Sequence, residues 1–586
     1  MTARHPVRAW LGRDVNALVL AGAIGLLAWP FLTGDAYSLR LLTVAGVYGL
    51  AAIGYQFVFG HAGALSLAQG AFFGLGAYAA GIMSVRTGAG FEVTFPAAMA
   101  AAAVLAALVA LPVLRLRSHY FALATLAVGQ VALVIAVNWE SVTGGANGIP
   151  NVPVPSLFGA SVGRGWPMLL LVWSLVAAGA VVARRLTGGL TGAALLLMRE
   201  QPMAAEAAGI DIRRVRFAAF LLSALYGGAA GALQVHTVRV VSPEVLEFPV
   251  MVMLLAIAVV GGRTSISGAI LGAVLLIHLP EWFRPLERYY LVAYGVALLA
   301  MIVAAPWGLM GSLSRARQRW LPEPEPPLPA AGRVPAGRPP ARLAIAGLTR
   351  HFGGVRAVDG IDLVVEPGES VGIVGANGSG KTTLLNMIAG VETPDSGRIR
   401  WGKSDIAGLP PYRIARAGIG RSFQALKLID GLTVLDNVAA AAWRETGGPD
   451  RDAARASAMA LLQALDLAPM AWRRCGALPP GLRRRVEIAR ALIGGPALLL
   501  LDEPAAGLTA AERDSVAGTL AALNAGGTTV VVVEHDLAFL EGFVARIVCL
   551  DQGRIIADGA PADVRSDPGV ISAWLGQPPD EGHKHD

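Results

Sequence analysis

The stretch Val371-Gly-Ile-Val-Gly375-Ala-Asn-Gly-Ser-Gly380-Lys381-Thr382-Thr383 decides how the second half of the chain folds. A strand-like apolar run, 371–374, leads straight into G-x4-G-K-T, and a helical pattern follows. Glycines let successive backbone N–H groups close around phosphate oxygens. Lys381 then brings a cation to the β and γ phosphates, and the Thr382 hydroxyl is placed for Mg2+. Gly375, Asn377, Gly378, Ser379, Gly380 and Thr383 complete a candidate ATP-binding loop in an α/β P-loop domain.

Downstream, Leu498–Leu501 reads as a buried strand that ends in Asp502-Glu503-Pro504. A carboxylate at the end of a core strand can hold Mg2+, and a second beside it can polarise the attacking water. That assigns Asp502 to the metal and Glu503 to general base. A further apolar strand, 530–533, delivers Glu534-His535-Asp536 and puts His535 within reach of a γ-phosphate.

Before this half the composition is different. The 586 residues are 54% hydrophobic and only 15% charged, too apolar for an ordinary soluble enzyme or a disordered scaffold. All four lysines (Lys381, Lys403, Lys427, Lys584) lie in the last two fifths. The net charge of +7 reflects arginines beside apolar runs, which points to membrane topology and not to nucleic acid. Two cysteines, Cys475 and Cys549, exclude a disulfide framework and suit a reduced, cytosolic face.

Ten apolar runs precede Trp320, near residues 15–31, 41–59, 64–84, 95–114, 119–138, 167–183, 217–237, 246–262, 266–280 and 289–305. The third is polar and glycine-rich and the ninth is short, so eight crossings remain an alternative to ten. With Arg4, Arg8 and Arg13 inside, ten crossings also place Arg115 and Arg117, the arginine-rich 184–216, Arg263 and the cluster Arg315, Arg317 and Arg319 inside, and the loop 139–166 outside. No run carries Asp, Glu, Lys or Arg at its middle, so no ion-driven engine is visible. The spacings Gly70/Gly74 and Gly227/Gly231 predict close helix packing, and Gly60–Gly81 and Gly261–Gly272 could supply broken helices. His61, Gln69, Gln130, Asn138, Glu140 and His236 could touch a solute, but helix caps or interfacial contacts are the better explanation of each.

From Leu321 the sequence reads LPEPEPPLPAAGRVPAGRPPAR, a proline-rich tether that could reach on the order of 60 Å in polyproline geometry. The expected division is therefore 1–320 for a polytopic helical membrane domain, 321–341 for the linker, 342–576 for the ATP-binding domain and 577–586 for a polar tail. Its His583-Lys584-His585 reads as solvated, not as a metal site.

About 235 C-terminal residues resemble an ABC transporter ATPase. Phe352, 23 residues before Gly375, matches the family's adenine-stacking aromatic. Gln424 in Arg421-Ser-Phe-Gln matches the loop glutamine that senses Mg2+ and the membrane domain. Glu487-Ile-Ala-Arg-Ala-Leu and Ala505-Ala-Gly-Leu match the signature helix and the turn after the carboxylates. The run from Phe352 through Gly-Gly-Val-Arg-Ala-Val-Asp is similar to the G-type ATPase of branched-chain amino acid importers. Gly60 to Tyr78, Thr143-Gly-Gly-Ala-Asn-Gly-Ile and Ala204-Ala-Glu-Ala-Ala-Gly-Ile are similar to the M-type permease of the same system. That resemblance implies that Glu206, Ala207 and Gly209 form a coupling loop docked in the ATPase cleft.

It implies further a bacterial inner-membrane protein with both termini and the ATPase cytoplasmic, using ATP and Mg2+. Its partners would be a second permease, a second ATPase and a periplasmic binding protein, with membrane lipid around it. The solute class stays open among branched-chain and other neutral amino acids, amides or urea. A fused exporter half-transporter and a non-transporting membrane ATPase are the alternatives.

One motif departs from the family. The signature loop, usually L-S-G-G-Q, is here Leu478-Pro479-Pro480-Gly481-Leu482. Pro479 has no hydroxyl and neither proline has an N–H. Losing two charge-assisted hydrogen bonds of roughly 1.5 to 3 kcal/mol each would weaken closure on a γ-phosphate about 10^2-fold or more. The expectation is a degenerate site here, and a working one built from Lys381 and Glu503 with another ATPase's signature.

Overall fold

The computed structural model describes residues 35–114, 116, 118–320, 327–330, 337–442 and 451–575. The first apolar run, Arg115 and Arg117, most of the tether and the polar tail lie outside these residues. Two compact units emerge, one drawn from Met1–Gly188 and Arg213–Pro324, the other from Gly189–Ile212 and Glu325–Asp586. The division is thus not contiguous in sequence: a stretch expected within the membrane domain belongs with the ATP-binding half.

In the first unit, α1 (Ala36–Gln56) continues as a π-helical turn, Phe57–His61, and α2 (Gln69–Thr87) starts after a non-helical gap. Then follow α3 (Phe91–Val113), α4 (Ser118–Asn138) and α5 (Trp166–Thr187). After α6 (Gly189–Glu200) and α7 (Pro202–Ala207), which fall in the second unit, come α8 (Ile212–Val238), α9 (Phe248–Gly261), α10 (Ile266–Phe283), α11 (Tyr290–Ala304) and α12 (Gly308–Trp320). Seven helices among the described residues are long and apolar enough to cross a membrane. The eighth run, not the ninth, is the short one. A 3-10 turn, Pro243–Leu246, delays the start of α9, and Gly262 at φ 121° ends it after 14 residues. The ninth run continues through Pro280 to Phe283.

Close packing explains the glycine spacings. A Cβ on Gly231 would stand 2.0 Å from the Phe73 carbonyl oxygen, and one on Gly76 would stand 2.4 Å from that of Gly228. Without side chains, α2 and α8 touch backbone to backbone. Gln69, a candidate solute contact, is used up structurally: its amide donates to Ala51 O and Ser223 O at 3.1 Å, and its oxygen accepts from Ser223 Oγ at 2.6 Å. Asn138 likewise bonds Val134 O in its own helix. The two glycine-rich breaks meet each other. A Cβ on Gly60 would lie 1.9 Å from Arg263 O, and Gln56 Nε2 donates to Gly262 O and Ser265 O at 2.8 Å. The carbonyls freed by that break are therefore satisfied within the protein.

The second unit is α/β, as the phosphate loop requires. An antiparallel sheet in the order β2-β1-β4-β5 contains β1 (Leu343–Phe352), β2 (Val355–Val365), β4 (Ser396–Trp401) and β5 (Ser404–Asp405). The core sheet runs β10-β9-β3-β8-β7-β6, from β3 (Ser370–Val374), β6 (Ile419–Arg421), β7 (Leu498–Asp502), β8 (Thr529–Val533), β9 (Arg546–Asp551) and β10 (Arg554–Gly559). All neighbours are parallel except β9–β10. β3, β7 and β8 are wholly buried, so they read as unbroken apolar runs without alternation. Strand β8 separates β3 from β7, which brings the phosphate loop and Asp502 to the same carboxyl edge, where open α/β sheets bind ligands.

Candidate nucleotide site and coupling segment

The loop after β3 ends at α13 (Lys381–Ile388). Gly375 has φ 146°, and a Cβ there would lie 2.1 Å from Leu550 O, so only glycine fits between the loop and β9. Lys381 Nζ donates to Gly375 O at 2.8 Å and Ala376 O at 2.7 Å, lying along the loop. Burial holds its ammonium below the usual range, against the pull of Glu503 and Asp502.

Asp502 closes β7 with 2% exposure. Burial raises its carboxyl above the usual range, with Arg421 opposing from 4.0 Å. Its Oδ1 is buried with no hydrogen-bond partner. That orphaned oxygen and the Thr382 hydroxyl at the start of α13 fit a Mg2+ ion. Among the described residues no group of three or more His, Cys, Asp or Glu could hold a metal ion by itself, so phosphate and water would supply the other ligands, as Mg2+ prefers. Glu503 takes a left-handed backbone, φ 47°, and its N–H donates to Val533 O at 2.9 Å. This bend carries its carboxylate to Gln424, whose Nε2 donates to Glu503 Oε2 at 2.9 Å. The structure thus joins two of the three sequence-derived catalytic candidates. His535 follows β8, with its ring 60% exposed in a cleft of about 470 Å³ shared with Arg565 and Val570, and it makes no hydrogen bond to the other two.

Phe352 sits at the tip of the β1–β2 hairpin beside Gly353, with 45% exposure. The hairpin is indexed to the phosphate loop, because a Cβ on Gly380 would meet Ala357 O at 2.1 Å.

After α14 (Pro411–Arg416) and α15 (Val434–Ala441), the signature segment starts α16 (Pro480–Leu492). Pro479 is its N-cap and Pro480 its first residue, a position that needs no N–H. The prolines therefore preserve the helix. The carboxylate of Glu512, in α17 (Ala510–Ala525), packs against this start: a Cβ on Gly481 would stand 2.0 Å from Glu512 Oε1. Glu512 Oε2 also accepts from Thr509 N at 3.0 Å and Thr509 Oγ1 at 2.9 Å. Sequence reasoning missed Glu512, although Thr509-x-x-Glu512 is a readable capping box. It also missed Arg484, which donates to Phe423 O at 2.6 Å, Gln424 O at 2.9 Å and Glu487 Oε2 at 2.8 Å, pinning the loop glutamine to α16.

The inserted stretch Gly189–Ile212 completes this unit. Leu190 of α6, 1% exposed, joins the buried cluster of Val434, Leu435 and Val438. Helix α7 carries Glu206 and Ala207 and ends before Gly209, whose φ is 83°. Arg416 Nε donates to Gly209 O at 3.0 Å. A cavity of about 130 Å³ lies between Met203, Glu206 and Ala207 on one side and Pro411, Ile414 and Phe423 on the other. The end of the tether reaches the same place: Arg338 donates through its side chain to Arg416 O and through its backbone to Gly495 O at 3.2 Å.

Residues 37–306 match the family described as branched-chain amino acid transport system / permease component, and 358–506 match ABC transporter. Residues 554–579 match branched-chain amino acid ATP-binding cassette transporter. The chain is 38% identical over 250 residues to the high-affinity branched-chain amino acid transport ATP-binding protein BraF of Pseudomonas aeruginosa, covering 40% of this chain and 98% of BraF. It is 36% identical over 249 residues to LivG, an ATP-binding protein of the same description from Escherichia coli, with the same coverage. Its first half is 32% identical over 319 residues to the permease protein LivM of E. coli, covering 50% of this chain and 74% of LivM. The chain therefore belongs to the branched-chain amino acid ABC transporter family, with a permease component and an ATP-binding component joined in one polypeptide.

Proposed function

We propose that this chain is a subunit of an ATP-driven importer of branched-chain or related neutral amino acids in a bacterial inner membrane. It works with a second permease, a second ATPase and a periplasmic binding protein. The observation that carries this reading is the short helix with Glu206 and Ala207, seated against α14 and bonded by Arg416 to Gly209. Such a seat lets nucleotide-driven movement of the ATPase act on a loop of the permease sequence.

In this mechanism Phe352 stacks on adenine, and the loop Gly375, Asn377, Gly378, Ser379, Gly380, Lys381, Thr382 and Thr383 holds the phosphates. Glu503 takes the proton of the attacking water, Gln424 orients that carboxylate, and His535 moves to the γ-phosphate as the site closes. Thr382, Gln424 and Asp502 would hold Mg2+, which supplies charge neutralisation at the β and γ phosphates. The loop Pro479-Pro480-Gly481 forms a degenerate site, because neither proline has an N–H and the Glu512 carboxylate packs against Gly481, the one residue of the three with an amide donor. Only the site built on Lys381 and Glu503 then turns over.

Reconstitution with both partner subunits and the binding protein tests the importer reading. ATPase activity should rise on adding binding protein loaded with leucine, and labelled leucine should accumulate on the ATPase side. Leucine moving the other way, or ATPase indifferent to the loaded binding protein, rejects it. The asymmetry has its own test: Glu503→Gln should cut turnover of the whole complex about 10^2-fold, and near-normal activity rejects it.

A further inference from the structure

The rim of the nucleotide site contains a cation that the proposed mechanism does not use. Arg350 lies two residues before Phe352 on β1, with its guanidinium carbon 4.7 Å from the centre of the Phe352 ring. This guanidinium is fixed from its far edge: NH1 donates to Asp395 Oδ1 at 2.7 Å and NH2 to Glu392 Oε2 at 3.2 Å. Asp395 Oδ2 accepts the backbone N–H of His351 at 2.7 Å, so one carboxylate braces both the arginine and the strand between it and the ring. The ring is at the tip of a Gly353-Gly354 hairpin turn and is 45% exposed.

We propose that Arg350 is the positioning residue for the adenine-stacking ring. Its planar guanidinium backs one face of Phe352 and presents the other to the base. The inference rests on the reading of Phe352 as the adenine contact. Planarity suits arginine to this task, since a guanidinium can stack where an ammonium cannot. Its charge is matched by Glu392 and Asp395, so its effect is directed at the ring and not at phosphate. The arrangement makes a layered stack of guanidinium, phenyl ring and purine, with a cation behind the ring.

Binding to the purified full-length chain, measured by displacement of mant-ATP, tests this. Arg350→Gln should weaken ATP about two- to fivefold and leave tripolyphosphate, which has no base, unchanged. Phe352→Ala should weaken ATP about tenfold, and adding Arg350→Gln to it should cost nothing more. Arg350→Lys should fall between wild type and Arg350→Gln. The inference is overturned if ATP affinity survives Arg350→Gln while Phe352→Ala lowers it, if tripolyphosphate weakens in parallel with ATP, or if the Arg350→Gln loss persists without the ring. Should Phe352→Ala leave ATP affinity intact, the adenine reading itself is wrong and this inference falls with it.

Discussion

Single residues at the nucleotide edge are held where other side chains would not fit. Gly375 combines φ 146° with a would-be Cβ contact of 2.1 Å to a backbone oxygen. Gly375→Ala should therefore abolish ATP binding, as read by loss of mant-ATP fluorescence enhancement. The two thiols are built to be inert. Burial pushes Cys475 up to about 12 and Cys549 up to about 11. A raised thiol pKa leaves less thiolate, at most about one part in a thousand at pH 8. A maleimide at pH 8 should leave both cysteines of the native chain unlabelled and modify both after unfolding. Lys381, Thr382 and Asp502 were legible because their chemistry is local: a loop between strand and helix, a carboxylate ending an apolar strand. Glu512 and Arg421 were not, because what they do depends on Gly481 and Asp502, far away in sequence.

At the scale of elements, α16 acts as a clamp. Arg484 and Arg490 both pair with Glu487, which is fully buried, and Glu487 Oε1 accepts the Lys427 N–H at 3.2 Å. Truncating Arg484 removes one of the two counterions of Glu487 and leaves the Phe423 and Gln424 carbonyls without their donor, at a cost of about 3 kcal/mol. Arg484→Ala should lower the melting temperature of the ATP-binding unit by roughly 10 °C, measured by differential scanning calorimetry, and should slow ATP turnover by loosening Gln424. The elements themselves were legible to different degrees. Apolar strands announced themselves by composition. The membrane helices were found by length, but which one is short depended on a 3-10 turn at Pro243–Leu246 that hydropathy does not register. Nor does periodicity reveal the π-helical turn at Phe57–His61, where Gly60 comes close to Arg263.

For the whole molecule, the greasy and the water-soluble halves were plain from composition, but the grouping of Gly189–Ile212 with the second compact unit was not. Gly189–Ile212 lacks the hydropathy of a span, and in sequence only the resemblance of Glu206–Gly209 to a coupling loop points to the cassette; packing groups the whole stretch with it. Arg416 fastens this stretch through Gly209 O. Arg416→Ala should leave basal ATPase within about twofold and cut leucine uptake several-fold in proteoliposomes. Equal losses in both would assign Arg416 to the stability of the cassette instead.

The burial of Leu190 among Val434, Leu435 and Val438 also has a bearing on biogenesis. The ribosome makes this leucine long before the rest of the cluster it completes. While the cassette is being synthesised, an apolar fragment of its interior has already been made, between α5 and α8. Severed at the tether, the cassette would emerge with an unfilled greasy notch, which invites self-association. Carrying both in one polypeptide keeps each notch and its plug in the same molecule.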